Sequence, residues 1–159
     1  MKRLLLILLC FPIIGFGQIL YNPQQLYDAP GGLFDKDSLR NVYVNFQDPN
    51  YHNVLVNSFF TNPSYRIPAT ITVNGISLDS AGIRYKGNST FCLPNDNGNP
   101  KVPFNIDMNY FISGQKLLDY KKIKLANAWM DPTFAKDFTA AKIYRKYLPS
   151  GEANLIKLH

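Results

Sequence analysis

Charge and histidine are scarce in this chain of 159 residues. Charged residues make up 18%, too few for a self-repelling disordered chain, while 46% hydrophobic residues are enough to build a core. Only two histidines occur, His52 and His159, and neither stands at metal-ligand spacing. There is no Gly-x-Ser-x-Gly, Walker loop, His-Arg-Asp or Asp-Phe-Gly, so the common hydrolase, P-loop and kinase signatures are all missing. The cysteines are Cys10 and Cys92, and no apolar run is long enough to span a bilayer.

The first 17 residues have the layout of a secretory signal peptide: Lys2 and Arg3, the uncharged run Leu4 to Ile14, then Gly15 and Gly17 before Gln18. As a helix, that run covers about 16 Å at roughly 1.5 Å per residue, about half a bilayer core. The expectation is an exported protein of the periplasm, cell surface or extracellular space, without a transmembrane anchor. Leu9 before Cys10 is too large for a lipobox. Cys92 would remain as a lone cysteine, unable to close an internal disulfide, and is read as a small, partly buried apolar residue.

The formal charge is +6, of which Lys2 and Arg3 supply two. A modest positive balance suits an anionic ligand such as a nucleotide, and equally an ordinary solvated surface. The lysines from Lys116 to Lys124 are interrupted by Leu, Tyr and Ile, the pattern of a strand with a basic exposed face and not of a nucleic-acid arm.

Phe and Tyr are plentiful at 11 and 10 residues, which favours a strand-rich α+β fold. Residues 18–66 form a lead-in, irregular at first, with a strand over Leu39 to Phe46 and a short helix over Tyr51 to Phe60. From Ile67 to Val73 apolar residues alternate. Asn74-Gly75 follows, then a second run through Ile76, Leu78 and Gly82 to Lys86, which predicts a hairpin. Gly87 to Pro100 looks like a long polar loop, Val102 to Met108 a strand, and Ile123 to Asn127 another. Asp131-Pro132 is expected to open the main helix, with Phe134, Phe138, Ala141, Tyr144 and Leu148 as its apolar stripe and Pro149-Ser150-Gly151 as its stop. Asn154 to His159 looks like a strand without a downstream partner, so the isolated chain is expected to be incomplete and poorly soluble.

Arg84-Tyr85-Lys86-Gly87-Asn88-Ser89-Thr90 is the most informative segment. A strand ending in Gly and small polar residues can cradle phosphate with backbone N–H groups while Arg84 and Lys86 balance its charge. Gly87-Asn88 is equally an ordinary turn. Lys101 heads the next strand and either reaches phosphate or is solvated. Asp137 lies on the helix, where it is free to pair with a lysine or with water.

Arg84 to Thr90, then Lys101-Val102-Pro103-Phe104-Asn105-Ile106-Asp107, then Lys121 to Asn127 and Asp131-Pro132, stand in the order that resembles CotH-like proteins, known as spore-coat proteins and atypical kinases. The resemblance covers residues 67–159 and implies a kinase-like N-terminal lobe cut off before the catalytic centre. It implies ATP with magnesium in the full-length family, and a protein substrate phosphorylated on Ser or Thr. It makes Gly87, Asn88 and Ser89, with Arg84 and Lys86, the nucleotide-binding residues, and Lys101 a further phosphate contact. The family's acidic metal-binding residues lie beyond the position of His159, so the chain as given is expected to be inactive. The alternative is an extracellular strand-rich module that binds a glycan or protein surface through exposed tyrosines.

Overall fold

The computed structural model describes residues 30–35, 37–148 and 151–159. Residues 1–17, where a signal peptide is expected, the first part of the lead-in up to residue 29, Lys36 and the Pro149-Ser150 helix stop lie outside them. The fold is α+β and strand-rich: β1 (Arg40–Phe46), α1 (Tyr51–Thr61), β2 (Ile67–Val73), β3 (Ile76–Tyr85), α2 (Ser89–Asp96), β4 (Phe104–Asp107), β5 (Lys122–Leu125), α3 (Lys136–Tyr144) and β6 (Ile156–Leu158).

One six-stranded sheet runs in the order β5-β4-β3-β2-β1-β6. Every pairing is antiparallel except β1 with β6. The β2–β3 hairpin turns at Asn74 (φ 53°) and Gly75 (φ 77°), and two consecutive positive φ values explain why Asn-Gly stands there. Strand alternation sends Ile67, Ala69, Ile71 and Val73 of β2, Ala81, Ile83 and Tyr85 of β3, Phe104 and Ile106 of β4, and Ile123 and Leu125 of β5 into one buried face.

Helices α1 and α2 cover that face. Leu55 of α1 and Phe91 of α2 are fully buried, and Phe91 packs on Phe59 at 3.9 Å and on Tyr85 at 5.3 Å between ring centroids. The segment read as a polar loop therefore contains a helix, because Phe91 and Pro94 bury against the sheet. The main helix expected from Pro132 starts instead at Lys136 and buries no residue. Asp131 caps a turn, accepting from the Thr133 N–H at 3.0 Å and the Lys136 N–H at 2.8 Å. The final strand does have a partner: β6 pairs in parallel with β1, through Arg40↔Ile156 to Val42↔Leu158. The partner is an upstream strand, which local pattern cannot reveal, and β6 still forms the open edge of the sheet.

The segment before β1 is tied down by two polar residues. Asn154 donates to the carbonyls of Leu33, Asp35 and Ser38 at 3.0–3.2 Å. Asp35 accepts from the Gly31 and Asp37 N–H groups and from Ser38, and pairs with Arg40 at 2.9 Å. Those N–H groups, Gly31 first, hold its carboxyl below the usual 3.8. A carboxyl with a depressed folded-state pKa contributes its stability above the unfolded value and loses it as pH falls through the folded value. Asp35→Asn is therefore expected to melt below the parent at neutral pH, with the gap narrowing below about pH 3.8 in a melting series. Leu55→Ala should cost about 2–5 kcal/mol in denaturant unfolding, because α1 has Leu55 as its one fully buried anchor on the sheet.

Candidate functional site

The second face of the sheet is polar, and its composition follows from the first. With Ile83 and Tyr85 inward, Gly82, Arg84 and Lys86 must face out. The register then lines up Arg84, Asn105 and Lys124 across β3, β4 and β5, and next to them Gly82, Asp107 and Lys122. Four cations, Arg84, Lys86, Lys122 and Lys124, thus gather on one end of the outer face.

Their partners divide them. Arg84 donates to the carbonyl of Pro63 at 3.0 Å and is held as part of the fold. Lys122 pairs with Asp107 at 3.0 Å. No carboxylate among the described residues lies within 4.0 Å of Lys86 or Lys124. Lys86 is also partly buried: desolvation first, then the charge of Lys124, pushes its pKa below the usual 10.5, and only Asp137 in the first turn of α3 opposes this. Asp137 itself is exposed and makes no ion pair among the described residues, so it acts on Lys86 only as a charge at a distance.

Gly87 follows with φ 92°, and a Cβ there would collide with Thr90 Oγ1. The chain's own turn therefore demands glycine at this position, with no ligand needed to explain it. Asn88 begins α2, and its carbonyl accepts from the N–H groups of Phe91 and Cys92, while its side chain makes no cap. The N–H groups of Ser89 and Thr90 keep no partner among the described residues. Two free amides at a helix start, next to an unpaired lysine, form a surface suited to an anion.

Asn127 holds this turn in place. Pro94 has no N–H to return to the Thr90 carbonyl four residues earlier, and Asn127 Nδ2 donates there instead, at 2.9 Å. The same amide donates to the carbonyl of Lys101 at 2.8 Å, so one buried side chain links the α2 start to the segment that leads into β4. Residues 128–134 beyond it include Ala128 (φ 49°), Met130 (φ 61°) and Phe134 (φ 57°), backbone states that cost roughly 1–2 kcal/mol each.

Of the residues singled out from sequence, Arg84, Lys86, Gly87, Asn88 and Ser89 lie along one strand end and turn. Lys101 is exposed, and its ammonium sits over the Phe134 ring at 4.1 Å, a cation–π contact. Lys124 and Asn127 were not legible as site residues. For Asn127 a signal did exist, since Pro94 strands the Thr90 carbonyl. Lys124 joins the cluster only through sheet register.

Compared with protein-family models and with curated proteins, the chain matches none.

Gly87→Ala should destabilise the protein by more than ~1 kcal/mol, through both the collision with Thr90 and the positive φ. Adding Thr90→Ala should recover the collision part and leave roughly the 1–2 kcal/mol of strain. Strict additivity of the two substitutions in chemical denaturation would show that Gly87 and Thr90 do not meet.

Proposed function

We propose that this chain is the nucleotide-side part of an exported, CotH-like atypical Ser/Thr protein kinase, with a kinase-like N-terminal lobe whose outer sheet face takes the phosphates of ATP. One observation carries the reading: Lys86 is half-buried, feels the charge of Lys124 on the same face and lacks a carboxylate within ion-pair distance among the described residues. A desolvated ammonium beside a second cation weakens the fold, and such a group is retained where an anion will bind. A polyphosphate would neutralise both lysines and accept from the free amides of Ser89 and Thr90. Arg84 supports the cluster from within the fold, and Lys101, engaged by Phe134, is the weaker contact.

ATP bound here would supply the phosphoryl group for transfer to a Ser or Thr of a protein substrate. The chain's own contribution is to orient the phosphates between strand end and helix start. Among the described residues no three His, Cys, Asp or Glu side chains are grouped to hold a metal ion, so no step is assigned to magnesium. Among them, too, no helix is long and apolar enough to cross a membrane.

A second reading, a glycan- or protein-binding module, draws on exposed Tyr43 and Tyr110 together with the polar pairs Thr70–Asp79 and Thr72–Ser77. A nucleotide titration separates the two.

Lys86→Met is the decisive substitution, since Met keeps the stem and removes the charge. ATP titrated calorimetrically into parent and variant should bind about ten- to a hundredfold more weakly to the variant, the loss of one charge-assisted hydrogen bond. The same variant should melt above the parent at neutral pH. A lysine whose folded-state pKa is lowered penalises the fold below that value, and the penalty fades as pH rises through it toward 10.5. The advantage of Lys86→Met should therefore shrink in alkaline buffer. Equal ATP affinity in the two proteins, or no ATP binding by the parent, would overturn the reading.

A further inference from the structure

The loop between β4 and β5 carries three consecutive large apolar side chains in the open. Tyr110, Phe111 and Ile112 are 49%, 46% and 48% exposed, and Ser113 and Gly114 beyond them are exposed as well. Single exposed apolar residues are common on any surface, but three in a row at a loop apex are not.

The apex is held in place. Asn109 Oδ1 accepts from the Gly114 N–H at 2.6 Å and closes the loop on itself. Gln115 Nε2 donates to the Asp79 carbonyl of β3 at 3.0 Å. Tyr110 lies against Gly82, where any Cβ would come within 2.7 Å of the Tyr110 Cβ, and the Arg66 guanidinium stands 5.5 Å from the centre of its ring. Arg66 is itself locked by bonds to the carbonyls of Gly82 and Asn105. With Tyr110 pinned, Phe111 meets it edge-on at 4.8 Å, and Phe111 and Ile112 are presented to solvent by a rigid support.

The charge around the apex has one dominant sign. The stretch from Asn109 to Lys124 contains Lys116, Lys121, Lys122 and Lys124 against Asp119, and Lys122 is taken by Asp107. Lys116 and Lys121 are exposed and make no ion pair among the described residues. No arginine lies in the stretch. Lysine is depleted in protein–protein interfaces, where arginine is enriched, whereas its compact charge on a flexible stem suits phosphate headgroups of any arrangement. Aromatic and aliphatic side chains next to lysines are the composition that sits at the boundary of headgroups and acyl chains.

We infer that the β4–β5 loop is a membrane-surface contact, inserting Phe111 and Ile112 among the acyl chains of an anionic bilayer while Lys116 and Lys121 meet its headgroups. This is independent of the nucleotide reading, since none of these four residues belongs to the Lys86 cluster. A single loop of this size gives reversible attachment.

The test uses the chain from Gln18, which keeps every described residue but not the apolar leader, in co-sedimentation with vesicles. One set is phosphatidylcholine alone and the other contains phosphatidylglycerol. The parent should bind the anionic set preferentially and release as salt is raised. Phe111→Ser with Ile112→Ser should weaken binding by about tenfold or more while the protein still melts cooperatively, since both side chains are about half exposed and outside the core. Lys116→Glu with Lys121→Glu should remove the preference for the anionic set. Absence of parent binding to anionic vesicles would overturn the inference, as would equal binding by the Phe111/Ile112 variant. So would a concentration-dependent dimer in analytical ultracentrifugation that the same apolar variant dissolves, since the apex would then be covered by a second copy.

Discussion

Tyr85 is the fixed point of the domain. It is 2% exposed, packs between Phe91 and Phe104, and shares a hydrogen bond of 2.7 Å with His52 Nδ1 on α1. Burial, then the neighbouring Tyr51, pushes its hydroxyl pKa far above the usual 10. One ring therefore joins β3 to both covering helices and to β4. A slip of β3 by one residue would turn Tyr85 outward and bury Arg84 or Lys86, which the core cannot accept.

That constraint reaches the outer face directly. Because Tyr85 is inward, Lys86 is outward; because β3 ends there, the chain must turn at Gly87 and begin α2, whose Phe91 returns to Tyr85. The core contact and the anion-suited turn are thus two ends of the same seven residues. Asn127 completes the arrangement by taking the carbonyl that Pro94 leaves open. Helix α3 stands apart from this core. It buries no residue, with Tyr144 exposed and Phe138 only partly covered, and the carboxylate of Asp137 in its first turn acts on Lys86 through its charge.

The two surface features of the outer face share a support. Arg66 bonds across β3 and β4 through the Gly82 and Asn105 carbonyls, and Tyr110 lies on Arg66. Burial first, then the charge of Arg84, lowers the Arg66 pKa. The polar face is held by cations that are spent on carbonyls, and this leaves Lys86 and Lys124 as the pair without such a role. This contrast between lysines without structural work and arginines with it is what the proposed nucleotide site rests on.

Local physics was enough for much of this protein. Alternating apolar residues fix which side of each strand is buried, and Asn74-Gly75 fixes the hairpin, because both depend on residues close in sequence. The strand–Gly87–Asn88–Ser89 turn was legible for the same reason. Four features depended on distant residues and were decided only by the tertiary structure. Helix α2 forms because Phe91 finds the face of the sheet. The helix expected at Pro132 shortens because Asp131 closes a turn and nothing buries the apolar stripe. Strand β6 is completed by β1, 116 residues upstream at the Arg40↔Ile156 pair. Lys124 and Asp137 meet Lys86 only across the sheet and from α3, because charges act through space while sequence patterns record only neighbours along the chain.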